Sequence, residues 1–389
     1  LNWIISELFF PDQVSTAKIL TDIALKKIQC DQLSVICGPI GYEESYQIQE
    51  KKLNQRIKVH RIGLPNLNKN RISQRVLKLV LLTTKISWSI LVRVKKDDNV
   101  LITTNPTFLL ITAAVLKKIK RFNLEILVHD VFPENTVAVG LFTANSFRYK
   151  FLNTLFNWSY KRADRIIVLG EDMREVLIRK TNQKNIKIDV IPNWSDEEIY
   201  PICDFNISEF LGVDVRGKIV LGFAGNLGRV QGLLEFIDLY ISSDNPNIII
   251  IIIGDGALKL AVEDKIGDLP NVYYLGPKGR NEQNYFLNAC HIGLVTLIGG
   301  MRGLGVPSKT YNLMAAGKPI LYIGDKDSEI DNYVRTFECG WSYSWENQTE
   351  IISFLKSLSS EKLSTIHEKG LKSHAASVNF NKKNLIDLF

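Results

Sequence analysis

Long apolar runs are missing from this 389-residue chain. Its most hydrophobic stretch is the isoleucine run from Ile248 to Ile253, far short of the ~20 residues a membrane-spanning helix needs. The N-terminus has no basic-then-apolar segment ahead of a cleavage site, so no secretory signal is expected. The first residue is Leu rather than Met, and a short leading piece is expected to be missing. Cysteine is scarce: Cys30, Cys37, Cys203, Cys290 and Cys339 form no C-x-x-C pair. That argues against zinc and suits a reducing cytoplasm. There is no internal repeat and no low-complexity tract. Hydrophobic residues at 46% and charged residues at 23% describe an ordinary globular chain, long enough for two domains.

Carboxylates are thin in the first half. Residues 1–190 hold 30 Lys and Arg against 17 Asp and Glu, whereas the remainder is net acidic by six charges. A basic N-terminal half fits an anionic partner, either nucleic acid or a membrane surface. No basic-aromatic module of the known nucleic-acid types is present, so no nucleic-acid partner is expected.

Strand and helix patterns alternate. In the first half, apolar runs predict strands over 3–8, 33–37, 58–62, 100–103, 125–129, 165–169 and 188–191. Amphipathic patterns predict helices over 15–27, 73–94, 107–120, 145–162 and 172–181. Pro192-Asn193-Trp194 breaks the pattern, and a loose linker runs to about Asp214. The second half predicts strands over 219–223, 247–253, 272–275, 292–295, 319–323 and 340–343, with helices over 233–242, 258–266, 283–289, 309–316, 328–336 and 349–357. Alternation of this kind means α/β, with parallel sheets covered on both faces. The expected fold is two Rossmann-like doubly wound domains facing across a cleft, one over 1–192 and one over 206–370, with a helix over 371–389 crossing back to the first domain. Ligands should bind outside the carboxyl ends of the strands.

Five segments at predicted strand ends carry polar chemistry. Phe9-Phe10-Pro11-Asp12-Gln13-Val14-Ser15-Thr16 opens the first helix, and Ser15 or Thr16 suits its N-cap. His129-Asp130-Val131-Phe132-Pro133-Glu134 puts an imidazole and two carboxylates where a doubly wound sheet places its ligand. Gly222-Phe223-Ala224-Gly225-Asn226-Leu227-Gly228-Arg229 combines close backbone approach with a guanidinium fork for phosphate oxygens. It is not the G-x-G-x-x-G dinucleotide pattern. Gly254-Asp255-Gly256 is a turn that needs glycine whatever it binds. The segment from Gly299 through Gly303, Gly305, Pro307 and Ser308 to Lys309 places a cation in the first turn of a helix, against the dipole. A diphosphate shared by the amides and Lys309 would remove that conflict.

Together these segments resemble family-4 glycosyltransferases of the GT-B fold. The resemblance runs in order through Phe10-Pro11-Asp12, His129-Asp130, Ala163-Asp164-Arg165-Ile166-Ile167-Val168-Leu169, Ile191-Pro192-Asn193-Trp194, Gly225-Asn226-Leu227-Gly228-Arg229, Gly254-Asp255-Gly256 and Pro307-Ser308-Lys309 to Met314-Ala315-Ala316-Gly317-Lys318-Pro319. The Asn-Leu-Gly-Arg and Val-Pro-Ser-Lys variants look most like the fucosaminyltransferase-like branch of bacterial surface-polysaccharide enzymes. The resemblance implies transfer with retention of configuration, no metal and no cofactor, and a nucleoside-diphosphate sugar, UDP-linked, as donor; it also implies that the domain over 1–192 binds the acceptor and the domain over 206–370 the nucleotide sugar. His129, Asp130, Arg229 and Lys309 are then the catalytic candidates. Ser15, Thr16, Gly225, Asn226, Gly228, Gly254, Gly256, Gly303, Gly305, Pro307, Ser308 and Asn312 are the donor-binding ones.

The chain departs from that family pattern. Val14-Ser15-Thr16 stands where the family has Gly-Gly, and Asn226 and Gln231 replace its Arg and Lys phosphate pair, so that Arg229 must substitute from a shifted position. Leu304 and Asn312 occupy the two positions of the Glu-x7-Glu motif, with Asn312 left to hold the ribose. The sugar implied is an N-acetylated hexosamine or deoxyhexosamine, and the acceptor a lipid-diphosphate-linked saccharide. Basic, aromatic-rich patterns over 71–96 and 145–162 predict helices lying on the inner face of the cell membrane. Two other functions share this fold: a nucleotide-sugar epimerase or hydrolase, which needs a carboxylate cluster, and a non-catalytic nucleotide-sugar-binding protein.

Overall fold

The computed structural model describes residues 1–28, 32–40, 53–65, 72–182, 186–267 and 269–380. Cys30, Arg71 and residues 381–389 therefore lie outside the described residues, as does the side chain of Arg75. The described chain falls into two compact units. The first is Leu1–Pro192 with Gly303–Gly305; the second is Asn193–Arg302 continuing from Val306.

The first unit alternates β1 (Asn2–Ser6), α1 (Ser15–Lys27), β2 (Leu33–Cys37), β3 (Ile57–Arg61), α2 (Ile72–Arg93), β4 (Asn99–Thr103), α3 (Leu109–Lys120), β5 (Asn123–Val128), α4 (Glu134–Ala138), α5 (Phe147–Tyr160), β6 (Arg165–Val168), α6 (Glu171–Thr181) and β7 (Lys187–Val190). Its sheet is parallel in the order β3-β2-β1-β4-β5-β6-β7, with Ile4 opposite Val35 on one side and Leu101 on the other. The order reverses beside β1. The switch point therefore lies between the carboxyl ends of β1 and β4, where doubly wound sheets hold ligands.

The second unit repeats the plan. Its elements are α7 (Ile207–Leu211), β8 (Ile219–Ala224), α8 (Leu233–Ser243), β9 (Ile248–Ile253), α9 (Lys259–Ile266), β10 (Val272–Tyr274), α10 (Gln283–Asn288), β11 (Ile292–Thr296), α11 (Lys309–Ala315), β12 (Ile320–Gly324), α12 (Glu329–Thr336), β13 (Gly340–Ser344), α13 (Gln348–Lys356) and α14 (Leu363–Ser377). Sheet order is β10-β9-β8-β11-β12-β13, all parallel. The isoleucine run is β9, between β8 and β10 and buried on both faces. A parallel strand covered on both sides has no solvent face to alternate with, which is why its sequence is unbroken isoleucine. At ~25 cal/mol per Å2 of apolar surface removed from water, such strands dominate the core. Ile219, Leu221 and Phe223 of β8 pack there with Phe236, Ile237 and Ile351.

One local expectation changes. The first helix begins at Ser15 with Val14 as its N-cap, so neither Ser15 nor Thr16 caps it; the extended turn at Val14 already starts the helix. Ser308 occupies the N-cap of α11 in a helical conformation, and its hydroxyl makes no capping bond. Residues 371–380 belong to the second unit, and the expected crossing to the first domain falls on 381–389, outside the described residues. There Ser373 Oγ donates to the Lys318 carbonyl, and His374 Nδ1 lies 2.9 Å from the Ala315 carbonyl. The linker also carries the short helix α7, capped by Asn206 and ended by left-handed Gly212.

Candidate active site

The second unit's switch point lies between β8 and β11. Both glycine-rich segments leave from it, as their positions after apolar strands predict. Gly225 N donates to the Ile253 carbonyl (2.9 Å) and Leu227 N to the Asp255 carbonyl (2.9 Å), so the loops after β8 and β9 are zipped together. Gly254 is in the left-handed region at φ +142°, and a Cβ there would overlap the Gly225 carbonyl. Gly256 faces the Asn226 side chain and the Leu227 backbone. These glycines thus earn their place by backbone contact between two loops. Asn226 and Arg229 are exposed at the rim, and Gly228 borders the Asn226 amide.

Lys309 is the unusual group. Its ammonium is enclosed and has no hydrogen-bond partner among the described residues. Nζ lies 3.5 Å from the centre of the Phe223 ring, and a Cβ on Gly225 would stand 3.7 Å from it. Desolvation holds its pKa well below the ordinary lysine value. The face of Phe223 offsets only part of that cost. Pro307 and Ser308 lead into this lysine.

Asn312 is buried and engaged with the linker. Its Oδ1 accepts from the Asp196 amide (2.9 Å) and its Nδ2 donates to Asp196 Oδ2 (3.3 Å), while Arg280 Nη2 pairs with the same carboxylate oxygen at 2.6 Å. A ribose contact from Asn312 would have to replace Asp196. No spacing in the sequence ties Asp196 or Arg280 to Asn312.

In the first unit His129 and Asp130 follow β5. The Thr104 hydroxyl accepts from both of their amides, at 3.2 and 3.3 Å, and so fixes the start of the loop. His129 Nε2 is buried without a partner, and burial lowers the imidazole pKa to about 4. It is neutral at pH 7. Asp130 reaches solvent, yet surrounding protein still pushes its carboxyl up to about 6. Asp130 also forms an antiparallel bridge with Gly305, and Val131 N donates to the Leu304 carbonyl (2.8 Å). Gly303, at φ +72°, donates its amide to buried Asp172 (3.0 Å) and leaves no room for a Cβ against the Asp172 carbonyl. Gly303 and Gly305 are thus built into the first unit, although Pro307, Ser308 and Asn312, which follow them closely in sequence, belong to the second.

Glu134 turns inward, where Lys180 Nζ meets its Oε1 at 2.5 Å and Asn153 Oδ1 at 3.1 Å. The loop after β1 is held by Arg61, which donates to the carbonyls of Phe10 and Gly38. Ser15 and Thr16 sit in the first turn of α1, whose leading amides have no intrahelical acceptor. Thr104, Asp172, Lys180 and Arg61 had no motif to mark them. Among the described residues no three of His, Cys, Asp and Glu gather so as to hold a metal ion.

Residues 42–199 match the model of glycosyltransferase family 4. The probable glycosyltransferase WbjE of Pseudomonas aeruginosa is 38% identical over 285 residues, which is 72% of this chain and 70% of that protein. The chain belongs to glycosyltransferase family 4. Two solved structures share the fold of this glycosyltransferase. The crystal structure of HepE from Anabaena, in complex with UDP and glucose, matches at TM-score 0.71 and 17% identity over 100% of this chain and 97% of that one. WaaG, a glycosyltransferase involved in lipopolysaccharide biosynthesis, matches at TM-score 0.69 and 12% identity over 100% and 99%. The glycosyltransferase therefore has the GT-B fold, two Rossmann-like α/β domains.

Proposed function

We propose that this glycosyltransferase moves a sugar, an N-acetylated hexosamine or deoxyhexosamine, from a UDP-linked donor to a lipid-diphosphate-linked or saccharide acceptor. The product belongs to a bacterial surface polysaccharide, and the enzyme works peripherally at the cytoplasmic face of the membrane. The reaction retains configuration and uses no metal. One observation carries the donor reading: the enclosed, unpartnered ammonium of Lys309 beside the Gly225 turn. A buried cation without a counterion is costly. An anion at the mouth of the loops after β8 and β11 relieves that cost, and Arg229, exposed on the same β8 loop, adds a bidentate donor. A departing diphosphate gains charge as the glycosidic bond breaks. Preset cations and amides therefore stabilise the transition state more than the ground state.

The His129 imidazole, neutral at pH 7, serves as a hydrogen-bond donor or acceptor to a sugar hydroxyl rather than as a cation. HepE was crystallised with UDP and with UDP-glucose, which makes a uridine donor the first to test. A thermal-shift series with UDP, GDP and their sugars is the direct experiment. A ligand at a hundred times its Kd stabilises by about 2.7 kcal/mol. Stabilisation by UDP in the wild type, and none in Lys309→Ala, is the expected result. A nucleoside diphosphate that stabilises both proteins equally would remove Lys309 from the site.

A further inference from the structure

The helices α2, α3 and α5 together contain nine Lys and Arg and no Asp or Glu. Elsewhere in the same unit α6 mixes both signs, with Glu171, Asp172 and Glu175 among its cations. The one-signed charge is thus specific to these three helices. They are also neighbours, for α3 packs against α2 on one side and α5 on the other.

Each of them turns an apolar pair outward. Trp88 (66% exposed) and Val92 stand one turn apart on α2, Val115 and Ile119 (64%) on α3, and Phe147 (83%) and Phe151 on α5. Side chains at i and i+4 share one face of a helix, while those at i+1 and i+3 fall on its two flanks. Arg148 and Lys150 accordingly bracket the Phe147–Phe151 pair, and Lys118 flanks Val115 and Ile119; all three cations are exposed. Packing on the sheet uses the opposite faces, where Leu82, Ile86, Ile90, Leu109, Leu110 and Phe156 are buried. The core therefore does not account for the outward aromatics. None of the helices is long and apolar enough to cross a bilayer.

We infer that the outer face of α2, α3 and α5 is the surface by which this enzyme lies on an anionic bilayer, with Phe147, Phe151 and Trp88 entering the acyl boundary and the flanking cations meeting lipid phosphates. This deepens the reading of a membrane-side acceptor by naming the face that meets the lipid. Aromatic side chains suit the interfacial zone, and a helical face that is apolar between cations binds in proportion to its buried area and to anionic lipid content. Charge decides the occupant. A second copy of this chain would bring another uniformly basic face against the first, whereas an anionic leaflet is complementary.

The test is co-sedimentation of the full chain with phosphatidylcholine vesicles, with and without phosphatidylglycerol. The wild type binds only the anionic vesicles, and salt weakens the binding. Both Phe147→Ser/Phe151→Ser and Arg148→Glu/Lys150→Glu lose affinity by about tenfold or more, each basic residue being worth about fivefold at a charged surface. Their circular dichroism, melting temperature and UDP stabilisation stay at wild-type values, so a failure here is separate from a failure of the donor site. Equal binding to neutral vesicles, unchanged binding in both variants, or a dimer that these substitutions dissociate would overturn the assignment.

Discussion

Two lysines, one in each unit, show how differently an enclosed ammonium can be held. Lys180 of the first unit is 5% exposed and meets the Glu134 carboxylate and the Asn153 amide oxygen, with the Tyr160 ring 5.6 Å away. Burial lowers its pKa and Glu134 pulls it back. Lys309 of the second unit is lowered by burial with nothing to oppose it. The first lysine is complete within the fold: it ties α6 to the start of α4 and to α5. The second has no such partner among the described residues, and on the proposed function a donor diphosphate would supply one. The difference separates a cation paired within the fold from one left unpaired by it, and residue type alone does not distinguish them.

The contrast can be broken by experiment, beginning with catalysis. Lys309→Met should lower kcat by about a hundredfold, the usual loss for one transition-state donor, and should leave the melting temperature unchanged or raised because an uncompensated cation is gone. Arg229→Ala should lower kcat to a similar degree. A Lys309→Met enzyme with full turnover and a lower melting temperature would make Lys309 structural after all.

Lys180→Met should do the reverse. It strands Glu134 and costs about 2–4 kcal/mol of stability, measured as a shift in the urea midpoint. Lys180→Met/Glu134→Leu should recover most of that, since an apolar pair of similar volume can replace a buried ion pair. No recovery in the double variant would mean that the pair also holds the His129 loop.

The smallest effect concerns pH. His129 has a folded pKa of about 4, below its ordinary 6.5, so the folded state resists protonation and stability rises with pH between those values. Asp130 is raised from 3.8 to about 6, so its contribution is present at low pH and is lost as pH climbs through that window. The two slopes oppose each other. Asp130→Asn should steepen the rise in stability from pH 4 to 6, and His129→Asn should turn it into a fall. Parallel profiles for all three proteins would show that neither group is desolvated.

Much of the architecture was legible before any coordinates. Alternating apolar runs placed every strand, and the isoleucine run announced a strand covered on both faces. The break at Pro192 coincides with the division between the units. The span of α1 was legible, Ser15 to Lys27, but its cap was not: the extended backbone of Val14, and not a hydroxyl, precedes the helix. The outward apolar and basic pattern was only half readable. Periodicity marked α2 and α5 as amphipathic, but Phe156 turned out to be core and Phe147 surface, and α3 joined the face although no aromatic flagged it.

The sequence by itself determined two parallel-sheet domains, their boundary, the loops that carry polar groups at strand ends, and the family. Periodicity and turn chemistry are local, and the order of motifs is one-dimensional, so a chain read in line discloses them. Only the tertiary structure decided which polar groups are satisfied. Asn312 is drawn to Asp196 across 116 residues, Gly303 to Asp172 across 131, and Lys180 to Glu134 across 46, while Lys309 is left without a partner. Whether a charge is paired depends on which distant segments meet it in three dimensions, and no spacing along the chain records that.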